Sequence, residues 1–491
     1  MQALFTKKEL TYFWLPSLAA AGCFIAAVIL QHNLLLVLPF AGLAVFLFGL
    51  NIRLLFFALL FAIPLSTEFE VTSTLSTDLP DEPLMLLLAG SLFLLFLLKP
   101  QLIPVELRKS SLLVLLLLQL VWLLVTVFFS HEVWLSIKYC LAKAWFIMAF
   151  VVGGLFFLRT KEDFAQASKA LIFAMLIPVV YSMLQHAGKG FTFESINETL
   201  SPFFRNHVNY SALLVCLSPV LLVWYQFSTQ RLRKWIIALM LLFFTALFFA
   251  YSRGAWLCLL SGAITWMAIK KRFLLSLIFT ALLTAAVALF LLVQDENYMK
   301  FAPDFNTTRQ HFDLNEHLEA TYTLKDMSTM ERFYRWIAGI KMVNEEKLKG
   351  YGPNTFTTYY KEYTVAAFKT WVSNNDEKSS VHNYFLLISI EQGLPGLLLL
   401  LVLLISMFTI AVKAYHTLHD PFERSLALTA AVILSMIVTL NLLSDLIETD
   451  KIGSIYFLLL GIFIRLQVKI NEQQSVPHLS LIHISEPTRP Y

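Results

Sequence analysis

Long apolar blocks separated by short polar segments run along most of the chain. Residues 112–129 and 273–293 contain no charged side chain, and each run can cross a hydrocarbon layer of about 30 Å as a helix rising about 1.5 Å per residue. The pattern predicts fourteen helices, at residues 12–30, 34–49, 53–65, 84–98, 111–129, 135–158, 164–185, 207–227, 235–251, 254–269, 273–293, 383–412, 424–446 and 452–467. We therefore expect an all-α polytopic integral membrane protein with about 12–14 transmembrane helices.

Two of these blocks leave the helix count open. Block 53–65 is short for a membrane span, and block 383–412 contains Gly393 and Pro395. Because both residue types weaken a helix interior, this block is expected to divide into a re-entrant piece and a helix. Either change alters the count and leaves the polar motifs where they are.

Composition supports the membrane assignment and removes other classes. The 491 residues are 58% hydrophobic and 14% charged, whereas a soluble domain is about half apolar and about a quarter charged. All four cysteines lie within apolar blocks and show no metal-ligand or disulfide spacing. Soluble enzymes, secreted disulfide scaffolds and disordered chains are excluded.

The placement of basic residues predicts the orientation. With the N-terminus inside, the short inner segments carry 18 lysines and arginines, and the short outer segments carry only Lys189, Arg205, Arg253 and Lys451. Because basic residues accumulate on the cytoplasmic side, the N-terminus is predicted to be cytoplasmic. The unusual polar motifs then fall on the outer face.

One long polar segment divides the chain into regions. We expect transmembrane helices in 1–293, a large outer-face loop domain in 294–381, further transmembrane helices in 382–470 and a tail in 471–491. From about residue 479 the tail resembles translated adapter or vector sequence. Within the loop domain, 327–346 is predicted to be a helix whose apolar stripe comprises Phe333, Trp336, Ile337, Ile340 and Met342.

Arg253 is the first candidate for chemistry. It lies in the sequence SRGAW between two apolar blocks, where a charge is costly unless it faces water, a partner or a ligand. Gly254 beside it would let a ligand approach the backbone. The alternative is an arginine that reaches the membrane surface beside a tryptophan anchor.

His382 and Asn383 form the second candidate, where the outer segment re-enters the membrane. Histidine can accept and release a proton near neutral pH, with an ordinary pKa of about 6.5. A single histidine at the start of a helix is also compatible with a cap or a solvated residue.

The other candidates are polar residues of the outer segments. Arg332 and Arg335 are three apart, so they share one helix face and can hold phosphate oxygens. Tyr351 lies in the turn GYGPN, and Arg205 precedes an apolar block in FRNHVN. A solvated helix surface and helix caps are the alternatives.

Together these motifs resemble one family. The order FRNHVN, SRGAW, an outer segment with ERFYRW and GYGPNTF, then VHNYF and EQGLPG resembles the O-antigen ligase and polymerase superfamily of bacterial membrane glycosyltransferases. The resemblance covers about 203–412. The chain departs from it in having fourteen predicted helices where twelve are described, and in the sequence EEKL, which replaces the Asn-Pro-Leu that commonly precedes the GxG turn.

The resemblance implies a reaction and its participants. It implies transfer of a glycan from a polyprenyl (undecaprenyl) pyrophosphate carrier to an acceptor hydroxyl at the periplasmic face of a bacterial inner membrane, inverting and independent of metals and cofactors. His382, Arg253 and Arg332 are the implied catalytic residues, and Arg205, Arg335, Asn383 and Tyr351 would bind substrate. The expected partners are the lipid-linked donor, a lipid A-core or other hydroxyl acceptor and the lipid bilayer, with no nucleic acid.

Alternatives to O-antigen ligation remain within this interpretation and outside it. Repeat-unit polymerisation and protein O-glycosylation use the same donor chemistry. A lipid-linked glycan transporter or flippase is the non-enzyme alternative, with the intramembrane residues Lys138, Lys143 and Lys169 as candidates to line a path.

Overall fold

The computed structural model describes residues 51–72, 75–301, 327–369, 373 and 379–475. The predicted helices at 12–30 and 34–49 and the tail from 476 onward lie outside the described residues. The described helices are α1 (Ile52–Ala62), α2 (Asp81–Leu98), α3 (Ser111–Phe128), α4 (Val133–Phe146), α5 (Gly153–Phe157), α6 (Lys161–Gly188), α7 (Ile196–Leu200), α8 (His207–Phe227), α9 (Gln230–Phe248), α10 (Arg253–Lys270), α11 (Leu274–Val293), α12 (Met327–Glu345), α13 (Phe356–Tyr359), α14 (Tyr384–Thr417), α15 (Pro421–Leu443) and α16 (Asp450–Ser475).

Each of the twelve predicted blocks within the described ranges is helical. Nine segments in these ranges are long and apolar enough to cross a membrane, namely α2, α3, α4 with α5, α6, α8, α11, α14, α15 and α16. Charged residues at the ends of α9 and α10 lower their mean hydropathy, although both pack into the same bundle. The all-α polytopic membrane fold is thereby confirmed.

The described part also contains one small sheet that the apolar pattern did not predict. Strands β1 (Thr67–Thr72) and β2 (Leu75–Leu79) pair antiparallel, with Thr67 opposite Leu79 and Glu68 opposite Asp78. This hairpin joins the short 3-10 turn after α1 to the start of α2. It therefore projects from the bundle beside a helix end.

Helix α14 is interrupted where the sequence predicted a break. Gly393 has φ 69° and ψ −179° inside the helix, a conformation that favours glycine. Because Pro395 follows, the two helical parts meet at a kink rather than in a straight rod. A second irregularity is the π-helical stretch Ile147–Val152, which links α4 to α5.

Helices α10 and α15 pack closely and run antiparallel. The Cys258 thiol lies 3.4 Å from the carbonyl oxygen of Met436, and a methyl group at Gly262 would lie 2.4 Å from Met436 Cε. Farther along α10, the Ile269 carbonyl bonds the ring of His416, just before α15 begins, at 2.9 Å. The start of α10 therefore lies beside the end of α15.

The bundle consequently has two distinct ends. We call the end that carries Arg205, Arg253 and His382 the site end. The other end carries the ion pairs Arg53–Asp163 and Arg465–Glu423 and is called the opposite end. Every candidate residue of the membrane segments falls at the site end.

Helix α12 lies on the first part of α14, since a methyl group at Gly339 would lie 2.8 Å from Ile390 Cδ1. Its buried apolar side chains are Met330, Tyr334, Ile337, Ala338 and Met342. The predicted stripe was therefore wrong in part, because Phe333, Trp336 and Ile340 are only half-buried. The buried face is rotated towards Glu331 and Arg335, which are themselves buried.

Candidate active site

The start of α14 is fixed against the end of α15. The Asn383 side-chain oxygen accepts a hydrogen bond from the Leu386 N–H at 3.0 Å, and its amide nitrogen donates to the Leu442 carbonyl at 3.1 Å. The Tyr384 N–H donates to the Ser444 carbonyl at 3.0 Å. Asn383 is therefore the helix cap, and its bonds hold the neighbouring His382 in place.

His382 adopts a strained backbone conformation beside a carboxylate. Its φ is 54°, a left-handed value that is costly for a residue with a Cβ and concentrates at functional sites. Its Nδ1 lies 3.9 Å from Asp445 Oδ1. The Ser380 hydroxyl donates to the other oxygen of Asp445 and accepts the His382 N–H at 3.2 Å. Ser380 thus links the backbone of His382 to Asp445.

The two arginines of α12 occupy different environments. Arg335 is 6% exposed, pairs with Glu331 at 3.3 Å and donates to the Ser380 carbonyl at 3.3 Å. Arg332 is half-buried on the same helix. Ser380 therefore bonds to Arg335 through its carbonyl and to Asp445 through its hydroxyl.

The positive charges of this site act on the histidine. Burial lowers the pKa of His382 below its ordinary 6.5, and the charges of Arg335 and then Arg332 lower it further. About a third of the side chain still reaches solvent, at 34% exposed, so the shift stays smaller than full burial would give. Its direction keeps the ring neutral at pH 7, as a proton acceptor must be.

The pKa of Asp445 is shifted in the opposite direction from that of His382. Burial raises the pKa of its carboxyl group, although the Ser380 hydroxyl and the Arg335 charge act to lower it. Asp445 is the residue that the sequence interpretation missed. Its signal was weak, because a single aspartate after an apolar block is typical of any outer turn.

Arg253 is the first residue of α10 and is half-buried. The antiparallel packing of α10 on α15 places it at the level of Asp445 and His382 across the bundle. A methyl group at Gly254 would contact nothing within 4 Å, so the space beside Arg253 is open. The structure thus brings Arg253, His382 and the α12 arginines to the site end.

Arg205 lies in a separate cleft at the site end. The cleft has a volume of about 510 Å³ and is also lined by Glu448 and Asp450. Arg205 forms two hydrogen bonds with the Glu68 carboxylate of the hairpin, the Nε contact being 2.6 Å. The neighbouring Asn206 caps α8 through Val208 and Asn209, which confirms the capping alternative for Asn206.

Tyr351 is buried away from His382, in a contact that we call the clasp, formed by residues 347–356 and 390–394. Its N–H donates to the Ile390 carbonyl at 2.9 Å, and its hydroxyl donates to Tyr363 at 2.7 Å. The buried Glu391 carboxylate accepts the Phe356 N–H at 3.3 Å. A side chain at Gly393 would meet the Leu348 carbonyl at 2.4 Å.

The clasp explains why the motifs GYGPNTF and EQGLPG occur together. GYGPNTF provides the backbone of a turn, and EQGLPG provides a kinked helix with a buried carboxylate. The two segments pack against each other and share hydrogen bonds. Substrate binding by Tyr351 stays a prediction.

These features define a multi-pass membrane protein in which a histidine, an aspartate and two arginines lie at one end of the bundle. Residues 238–401 match a family model described as O-Antigen ligase, and this match supports the resemblance to the O-antigen ligase superfamily. None of the curated proteins matches it. The matched segment contains Arg253, Arg332, Arg335, Tyr351 and His382, and it excludes Arg205. The family indicates a glycosyltransferase-like enzyme of the ligase or polymerase type that acts on lipid-linked glycans.

Proposed function

We propose that the protein transfers a glycan from a polyprenyl pyrophosphate carrier to an acceptor hydroxyl at the site end. The observation that carries this proposal is the position of His382 beside Asp445, with Arg335 bonded to the Ser380 that links them. A proton acceptor next to phosphate-binding cations is what this transfer requires.

The reaction breaks one bond and forms one. The acceptor oxygen attacks the anomeric carbon while the bond from that carbon to the pyrophosphate oxygen breaks, and the bonding electrons leave with the pyrophosphate. The acceptor proton passes to His382 Nε2, because Nδ1 faces Asp445. Single displacement inverts the anomeric centre, and the transition state has oxocarbenium character.

The arginines have two roles in this proposal. Arg253 and Arg332 stabilise the charge that develops on the leaving pyrophosphate, while Arg335 supports the site through Glu331 and Ser380. A bound pyrophosphate also offsets the positive field that lowers the pKa of His382. The histidine therefore becomes a stronger base when the donor is present. No metal or cofactor enters this scheme.

The proposal extends to the placement of the site. The charge bias of the connecting segments supports a cytoplasmic N-terminus and a site at the periplasmic face of a bacterial inner membrane. We assign 294–381 as the outer domain that covers the site, because α12 rests on the first part of α14. Membrane helices precede and follow it in 1–293 and 382–470.

The direct test is transfer by the purified protein in detergent from a polyprenyl pyrophosphate glycan. His382→Ala should reduce the rate by about 10²–10⁴-fold, while His419→Ala, an exposed histidine at the opposite end, should leave it unchanged. Near-normal transfer by a folded His382→Ala protein would remove His382 from the mechanism.

A pure transporter would give no turnover in detergent. The three lysines considered for a transport path lie in different environments: Lys143 is buried and pairs with Glu448 at 2.9 Å, whereas Lys138 and Lys169 are exposed. They do not share one polar surface, which favours the enzyme.

Ligation to a lipid A-core is our leading proposal for the acceptor, with polymerisation and protein O-glycosylation as the alternatives. Deleting the gene separates the first two. Full-length glycan accumulating on the carrier would indicate a ligase, and single repeat units would indicate a polymerase.

A further inference from the structure

A pocket of about 430 Å³ opens at the opposite end of the bundle, far from the proposed reaction. It lies between the starts of α6 and α15 and the last turns of α16. Four basic residues and two acidic residues line it, namely Arg159, Lys161, Arg465, Lys469, Asp420 and Glu423. Basic side chains are therefore in excess.

Arg465 lines this pocket and is held in place by hydrogen bonds. It forms two hydrogen bonds with Glu423, at 2.7 Å and 2.5 Å, and both side chains are largely buried. The same guanidinium donates to the Arg159 carbonyl at 3.1 Å. The pair neutralises itself and fixes the backbone that carries Arg159.

Arg159 and Lys161 are held by aromatic rings. The Arg159 guanidinium carbon lies 4.8 Å from the centre of the Phe156 ring, and Lys161 Nζ lies 4.7 Å from that of Phe227. Among the described residues neither cation forms an ion pair with a carboxylate. A cation–π contact orients a cation without cancelling its charge, so both charges remain available to an anion.

The other charged residues of the pocket, Asp420 and Lys469, do not neutralise Arg159 and Lys161. Asp420 caps α15 by accepting the Phe422 N–H at 2.9 Å. Lys469 lies 3.6 Å from Glu472 in an exposed pair, which water and salt weaken. The pocket thus keeps net positive charge at the ends of membrane-crossing helices, where lipid phosphates lie.

We propose that this pocket binds the phosphate group of an anionic phospholipid. Arg159 and Lys161 contact the phosphate, and Phe227 and Phe422, which meet edge to face beside them, border the glycerol and first acyl carbons. A free phosphate ion shares the first set of contacts but gains nothing from the apolar border. Basic pockets between helices at a membrane surface suit lipid headgroups for this reason.

The test uses the full-length protein in phosphatidylcholine-containing detergent micelles, with phosphatidylglycerol added. Native mass spectrometry counts the bound lipid, and thermal unfolding reports stabilisation, which grows with ligand concentration over Kd. The double variant R159Q/K161Q should bind phosphatidylglycerol about 30-fold more weakly. The control K270Q/K271Q removes two exposed cations of the same end, one of which also lies over a ring, at 3.8 Å.

The expected result is selective binding of phosphatidylglycerol by the wild type and by the control, with clearly weaker binding by R159Q/K161Q. An unchanged unfolding midpoint of that variant in phosphatidylcholine alone shows that it is folded. Should it unfold early, K161Q alone must show the weakened binding. Equal losses in test and control variants, equal binding of phosphatidylcholine, or full stabilisation by inorganic phosphate would each overturn the proposal.

Discussion

The two ends of the bundle use charge in opposite ways. At the opposite end, Arg465 meets Glu423 and Arg53 meets Asp163, and each of these two pairs joins two helices. At the site end, Arg332 and Arg335 act on a histidine, and both push its pKa down. Pairing of the first kind joins two helices, whereas positive charges beside His382 lower its pKa and favour its neutral form.

The difference shows where an enzyme of this fold can tolerate strain. His382 has a left-handed backbone and like charges nearby, and such features persist only where neighbours hold them in place. The neighbours here are Asn383, which is bonded to Leu442, and Ser380, which is bonded to Asp445. The proposed chemistry thus lies at the site end, and the pairs Arg465–Glu423 and Arg53–Asp163 lie at the opposite end.

Arg253→Lys tests the site end most strongly after the loss of His382 itself. Lysine keeps the charge and loses the planar fork, so transfer should fall by about 10–100-fold if the pyrophosphate is held by two hydrogen bonds. The measurement is initial rate against donor concentration. Arg231→Lys, an exposed change at the opposite end, should behave as the wild type. Full activity of Arg253→Lys would reduce Arg253 to a point charge or a membrane anchor.

Glu423→Gln tests the opposite end. It leaves Arg465 buried without its carboxylate, which should cost about 3 kcal/mol and lower the thermal unfolding midpoint. Transfer per folded molecule should not change. Glu162→Gln is the matched control, because Glu162 is an exposed glutamate in the first turn of α6, at the same end of the bundle. If Glu423→Gln kept its midpoint but lost transfer, the division of roles between the two ends would be wrong.

Arg332→Gln sharpens the comparison by a smaller, pH-dependent effect. Removing one positive charge should raise the pKa of His382, so the acidic limb of kcat/KM should move to higher pH. In the wild type, the pKa of His382 should be lower without the donor than with it. The acidic limb of kcat/KM should therefore lie at lower pH than that of kcat. Measuring both profiles checks this, and coincident limbs would contradict the effect of bound donor.

The sequence was most informative where one physical signal dominated. Helix α3 could be predicted because a run of eighteen uncharged, mostly apolar residues is typical of a membrane-spanning helix. The kink of α14 could be predicted from Gly393 and Pro395. The hairpin was missed although residues 67–72, TEFEVT, alternate polar and apolar side chains, the pattern of a half-exposed strand.

Tertiary contacts decided the rest. The apolar stripe of α12 pointed to Phe333, Trp336 and Ile340, but the buried face turned towards Glu331 and Arg335, because that pair is enclosed together with Ser373 and Ser380. Asp445 meets His382 across 63 residues of chain. No local pattern reports a contact of that kind.

The clasp has a mechanical consequence. Because residues 347–356 pack against and bond to residues 390–394 at the kink, this segment is coupled to the first part of α14. The position of Arg332 along the bundle axis would then depend on how α14 fits the thickness of the bilayer. A thinner bilayer tilts long helices and would carry Arg332 sideways relative to Arg253. The acyl-chain length of the surrounding lipids would thus adjust the distance between Arg332 and Arg253 in the proposed site.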